Sequence, residues 1–207
     1  MEDRYLYIVF SATPYALGKA IRGFTGQAYN HVSIALDQDL DRMYSFARRH
    51  YRTPLYGGFV RETRSRHYVK GQPSQIRICR LPVSQQAYAA LATRLEIMDQ
   101  RQHHYLYNFP GALASVFRRR CSLPDAYICV EFAVEVLGQT QAIPGLQPDQ
   151  YYSLGELLAL LRPYTLYTGP MLSPERDDEA YYAKQPVPHP TLTTLRDMAA
   201  LVSRRNT

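Results

Sequence analysis

Apolar and polar positions alternate with a period of two in several short stretches of the chain. Each such stretch predicts a strand with one face turned inward. Residues 31–36 (HVSIAL) put His31, Ser33 and Ala35 on one face and Val32, Ile34 and Leu36 on the other. Residues 37–41 read as a turn, and residues 42–47 (RMYSFA) as the antiparallel partner, with Met43, Ser45 and Ala47 opposed to Tyr44 and Phe46. Residues 75–81 (QIRICRL) alternate in the same way. Residues 4–11 (RYLYIVFS) are rich in aromatic and branched side chains and stop at Thr13-Pro14, which predicts a further strand. Shorter strands are expected at 59–63 and 165–168.

Helical spacing appears between these strands. Thr13 as cap and Pro14 at the first helical position predict a short helix through Ile21, followed by a glycine-containing loop at 23–30. Over residues 84–100, Tyr88, Leu91, Leu95 and Met98 fall on one stripe and Ser84 supplies the cap. A second helical stretch is expected at 109–119, with Pro110 at its entry, and a third at 125–137, closed by Gly138. Ser153 and Glu156 form a capping box ahead of residues 157–161. After Gly169 the pattern changes. Residues 170–190 carry five prolines and an acidic run at 175–179, which predicts an extended or mobile tail. The expected organisation is one domain over residues 1–169 and a tail over 170–207, with a short terminal helix at 191–203. There is no internal repeat.

Composition narrows the function classes. With 207 residues, 46% hydrophobic and 20% charged, the chain has the make-up of an ordinary globular domain with one sizeable core. All but three of its 24 basic residues are arginine, and the net charge of +6 raises the question of an anionic partner. The arginines lie in short scattered clusters, such as 48–49, 118–120 and 204–205, with no basic helix and no aromatic-interleaved basic strand, so no nucleic acid is expected. The acidic start and the short apolar stretch behind it do not make a signal peptide, and no apolar window is long enough for a membrane-spanning helix. Three cysteines at intervals of 42 and 8 residues make neither a disulfide framework nor a zinc pattern, so a cytoplasmic, reducing setting is expected. Gly57-Gly58 lacks the phosphate-loop pattern, and Asp37, Asp39 and Asp41 lack the glycine and glutamate of a calcium loop. No cofactor or metal is expected.

Two residues stand out for chemistry. Cys129 falls in the first turn of the helix expected from Pro124-Asp125, where unpaired backbone N–H groups favour the nucleophilic thiolate. His31 opens an alternating strand, from which it can project off a sheet edge toward a helix terminus. A base of this kind is usually oriented by a third polar group that accepts its second ring proton. Ser45, on the facing strand of the same hairpin, is the candidate, although serine orients less firmly than Asp or Asn.

These segments together resemble the circularly permuted branch of the NlpC/P60 superfamily, which includes YiiX-like proteins and the lecithin retinol acyltransferase-like enzymes. The stretch Tyr29-Asn-His-Val-Ser-Ile-Ala-Leu-Asp37 comes first and Tyr127-Ile-Cys-Val-Glu-Phe-Ala-Val-Glu-Val-Leu137 about a hundred residues later, the reverse of the ordinary order. Met43-Tyr-Ser-Phe46, Gly57-Gly-Phe-Val-Arg-Glu62 and Tyr107-Asn108 are similar to a bacterial subgroup of that branch, and the resemblance covers residues 4 to 169. It implies an α+β, circularly permuted papain-like fold, in which an antiparallel sheet packs against helices and the cysteine heads a helix. Carried over, it makes Cys129 the nucleophile and His31 the base. The third position falls at or near Ser45, where relatives often carry Glu or His, and Val130 replaces the serine that follows the nucleophile in the subgroup.

The leading expectation is a cysteine hydrolase of the peptidase or amidase class, acting on a peptide or cell-wall fragment. An acyltransferase or thioesterase acting on a lipid acyl substrate is the second reading, and it predicts an apolar channel beside Cys129. The third is a catalytically silent binding module of the same fold.

Overall fold

The computed structural model describes residues 4–13, 27–53, 55–69, 71–174, 178–184 and 189–205. The helical residues expected at 14–21 and the first half of the loop at 23–30 lie outside them, as does most of the acidic run at 175–179.

The described residues form an α+β fold around one eight-stranded sheet. Its strands are β1 (Arg4–Ala12), β2 (His31–Ala35), β3 (Met43–Arg48), β4 (Gly57–Glu62), β7 (Gln75–Val83), β8 (Leu106–Tyr107), β9 (Ala126–Tyr127) and β10 (Thr165–Pro170). They lie in the order β10-β7-β1-β2-β3-β4-β8-β9. All neighbours pair antiparallel except β8 and β9, which are parallel. A separate small hairpin joins β5 (Tyr68–Val69) to β6 (Gln72–Pro73).

β1 lies inside the sheet, between β2 and β7, and both of its faces are covered. Its apolar residues therefore run continuously instead of alternating. Leu6, Ile8 and Phe10 enter the main core with Val32, Ile34, Tyr44, Phe46 and Phe59, against the helices α1 (Gln85–Gln100), α3 (Cys129–Thr140) and α4 (Leu154–Leu161). Tyr7 and Val9 face the other way into a smaller cluster with Ala35, Met43, Ile76, Ile78 and Met171.

The helix boundaries depart from the sequence expectation for identifiable reasons. α1 starts as expected, with Ser84 Oγ accepting from Ala87 N at 3.1 Å. α2 (Phe109–Val116) stops short of 119 because Arg118 is left-handed at φ 55°, with Arg119 N donating to Ala114 O and Arg118 N to Ser115 O, a Schellman closure. α3 begins at Cys129 instead of 125 because Ala126 and Tyr127 pair with Leu106 and Tyr107. Gly138 does not terminate it. The left-handed residue is Gln141 at φ 53°, and Gly138 lies within the helix because Pro148 packs there, where an added Cβ would sit 2.1 Å from Pro148 Cγ.

The described parts of the expected tail pack back onto the domain. Met171 N donates to Ser74 O at 2.8 Å, and Tyr51 N to Tyr181 O at 2.9 Å within the short α5 (Glu179–Tyr182). The last helix, α6 (His189–Arg205), places Leu201 against Leu106, Leu123 and Ala126. Among the described residues no helix is long and apolar enough to cross a membrane.

In a free helix Gly→Ala stabilises by about 1 kcal/mol. At position 138 the contact with the rigid proline ring reverses the sign, and Gly138→Ala is expected to destabilise by about 1–2 kcal/mol. Urea denaturation of Gly138→Ala and of Gly138→Ala/Pro148→Gly checks this, because the second substitution should restore most of the loss.

Candidate functional site

β2 and β3 pair at only two positions, Ile34 with Tyr44 and Ala35 with Met43, and then part toward the His31 end. The gap is filled by side chains and a cavity of about 370 Å³. His31 on β2, Phe46 and Ala47 on β3, Gly57 on β4 and Phe109 and Ala112 on α2 line it, and Cys129 lies at its wall. A sheet that opens between two central strands lets a residue from a strand end meet the head of a helix packed on one face.

That meeting takes place here. Cys129 and the His31 ring line the same cavity, close enough for the thiol to influence the protonation of the imidazole. Cys129 is the first helical residue of α3, behind the cap residue Ile128, whose N–H is bound at 3.0 Å by Glu131 Oε2. The first backbone N–H groups of the helix have no partner within it and converge at this end.

The His31 ring is held by Glu62. His31 Nε2 lies 2.7 Å from Glu62 Oε1 and 3.2 Å from Ser33 Oγ. Glu62 ends β4 on the same strand face as Gly58 and Val60, while Phe59 on the other face enters the main core and Arg61 is exposed. Its carboxylate is buried and heavily donated to. Ser33 Oγ reaches Oε1 at 3.2 Å, Ser45 Oγ donates to the same oxygen, and His67 Nε2 lies 2.9 Å from Oε2. His67 closes the 3-10 turn Arg64–His67 that follows β4 and lines the cavity with Glu62.

Burial alone disfavours charge on both members of the His31–Glu62 pair. Their mutual attraction outweighs it. His31 is pushed up to about 10: desolvation acts against the charge, but the Glu62 carboxylate and the neighbouring Cys129 more than offset it. Burial likewise pushes Glu62 up, and the positive His31 with the bonds from His31 and His67 draws it well below the usual carboxylate range. Tyr107, on the cavity wall near Cys129, is held protonated well above the usual phenol value, by burial first and by the thiol second.

The structure thus brings Cys129 and His31 to one cavity and keeps Ser45 on the expected partner strand, but with Glu62 and not the His31 ring as its partner. The Ser45 hydroxyl bonds Glu62, and the place behind the ring is occupied by that carboxylate. The hairpin partner of His31 diverges from it here, so the residue that reaches the ring comes from one strand further across. A signal for Glu62 existed in the sequence: a carboxylate two residues after Val60, on the strand face of Gly58 and Val60 and opposite to that of Arg61. His67 carried none, because it follows an arginine-rich stretch with no periodicity. Of the remaining histidines, His104 pairs with Asp125 and His50 meets Ala180 O, both away from the thiol. Asp37 accepts from Asp41 N and Arg42 N, which makes it the cap of its turn. Among the described residues no group of His, Cys, Asp or Glu is arranged to hold a metal ion.

No family model, no curated protein and no solved structure matches this chain.

Glu62→Gln keeps the shape of the side chain and removes its charge. With burial still acting on the ring, the His31 titration midpoint is expected to fall from about 10 to below the ordinary histidine value, read by NMR of the ring. The variant should also lose about 3 kcal/mol near neutral pH, the scale for breaking a buried ion pair. The raised His31 contributes fully below its ordinary pKa, and its share is lost as pH rises through its folded value; the depressed Glu62 contributes above the ordinary carboxylate range, and its share is lost on acidification. The stability gap between wild type and variant should therefore be widest between about pH 5 and 6.5 and close above about pH 10.

Proposed function

We propose that this chain is a thiol-dependent hydrolase of the circularly permuted papain-like class, acting on an amide carbonyl with Cys129 as nucleophile and His31 as base. The observation that carries the proposal is the meeting of Cys129 and His31 at the head of α3, with Glu62 behind the ring. A buried carboxylate that orients an imidazole and keeps it charged beside a cysteine at a helix start supplies the orienting group and the proton donor that such a dyad needs.

In the reaction the Cys129 sulfur attacks the carbonyl carbon and forms an S–C bond. The developing oxyanion is met by backbone N–H groups at the start of α3. His31 delivers its proton to the departing nitrogen as the C–N bond breaks, leaving an acyl-enzyme. Water then attacks the thioester, passes a proton to His31, and releases the carboxylic acid and the thiolate. Glu62 takes the orienting part expected of Ser45, and Ser45 supports Glu62.

One observation favours a second reading. The cavity beside Cys129 is walled mostly by apolar groups, among them Phe46, Leu55, Phe109 and Ala112, which suits an acyl group with a sizeable apolar body. A thioesterase or acyltransferase would use the same dyad, with a different leaving group or acceptor.

Iodoacetamide at pH 6 separates an activated thiol from an inert one without knowledge of the substrate. Cys129 is expected to alkylate at least ~10-fold faster than Cys79 and Cys121, with Cys79 slowest because burial pushes it up to about 11. His31→Ala should bring Cys129 down to the rate of Cys121 with the fold intact. Equal rates for all three cysteines in the wild type would refute the proposal.

A further inference from the structure

We infer that His67 is a positioning residue for the site, holding Glu62 in the orientation from which it aims His31 at Cys129. The inference rests on the proposed dyad and adds a residue that does not touch the thiol.

The argument starts from the carboxylate. A Glu side chain turns readily about its last torsion, which is broad and two-fold, so bonds to one oxygen do not set its plane. His31, Ser33 and Ser45 all converge on Oε1. Only His67, among the described residues, engages Oε2, at 2.9 Å. It is therefore the contact that stops the group from turning about the Oε1 anchor. Without it Oε2 would be a buried acceptor with no partner, and a turned or protonated carboxylate would relieve that cost.

The setting of His67 points the same way. Its ring is 2% exposed, and its Nδ1 is buried with no hydrogen-bond partner. A side chain that filled space alone would serve better as Phe or Leu, without the cost of an unpaired nitrogen. Among the described residues the one polar contact of the ring is the bond to Glu62, and that bond is what a histidine supplies here and an apolar residue cannot. The backbone of the turn is fixed as well, since Ser74 N and Ser74 Oγ both donate to His67 O, at 2.8 and 2.7 Å. The ring centroids of His67 and His31 are 6.4 Å apart, on either side of the carboxylate. The charged and titratable groups around this assembly are His31, Cys129 and Tyr107, together with Arg66, which is paired with Asp178 at 2.6 Å. The Arg66–Asp178 pair adds little net charge, so the state of the dyad is set chiefly through Glu62.

The test is the pH dependence of Cys129 alkylation by iodoacetamide in the full chain, read by mass spectrometry for wild type, His67→Phe and His67→Gln, with circular dichroism to verify folding. His67→Phe is expected to move the midpoint up by about one pH unit and slow alkylation at pH 6 about tenfold. His67→Gln, which keeps an N–H donor on a side chain of similar reach, should recover at least half of the shift. If His67→Phe does not fold, His67→Ala with added imidazole replaces it, and recovery of the low-pH rate by imidazole is expected. Folded Phe and Gln variants with the wild-type midpoint overturn the inference, as does an Ala variant that imidazole does not change. A wild-type chain whose Cys129 reacts no faster than Cys121 overturns the dyad itself, which keeps the two failures distinct.

Discussion

The site turns on a single buried ion pair, Glu62 with His31, set into the gap where two strands of the sheet part. A lone charge there would be costly. The pair is tolerated because the carboxylate is supplied with donors on both oxygens before any substrate arrives. Two serines on neighbouring strands and a histidine from the following turn surround it, so the polar centre of the molecule is a small, closed set of hydrogen bonds inside an apolar sheet. The thiol of Cys129 lines the same cavity as the imidazole.

The cavity follows from the same divergence. Had β2 and β3 paired along their full length, His31 would lie across from the Ala47 end of β3 in an unbroken ladder, with no room for a cavity. The pairing ends after two residues, and the space between the strands is closed by the side chains of α2 and by Phe46. The apolar wall and the polar floor thus come from different elements. The floor is a product of the sheet, and the wall belongs to a short helix that leans over it.

Much of the sheet was legible in the sequence because period-two patterns and bounding turn residues survive burial of one face. Strands β1, β2, β3, β4, β7 and β10 all lie where such patterns predicted them, within a residue or two. The two-residue strands β8 and β9 were not, since no periodicity can show in so short a segment. Missing them displaced the start of α3 by four residues and hid the reason Cys129 is the first helical residue. Gly138 misled for a related reason: a glycine demanded by a close neighbour looks the same in sequence as one demanded by backbone geometry. In the site, Cys129 and His31 were identifiable from local context. Glu62 and His67 depend on which strands are neighbours, a property of the assembled sheet that hairpin reasoning between β2 and β3 could not supply.

The seating of α3 has a further consequence. Cys129 follows β9 after one residue, so the location of the sulfur is set by a strand two residues long at the rim of the sheet. Ala126 of that strand is packed beneath Leu201, and Arg204 binds the carbonyls of Pro124 and His104 on either side. A chain stretch more than seventy residues downstream therefore acts as a clasp over the short edge from which α3 departs. The two halves of the molecule, far apart in order of synthesis, share one mechanical joint, and the final helix is part of what makes the rest of the fold a working frame.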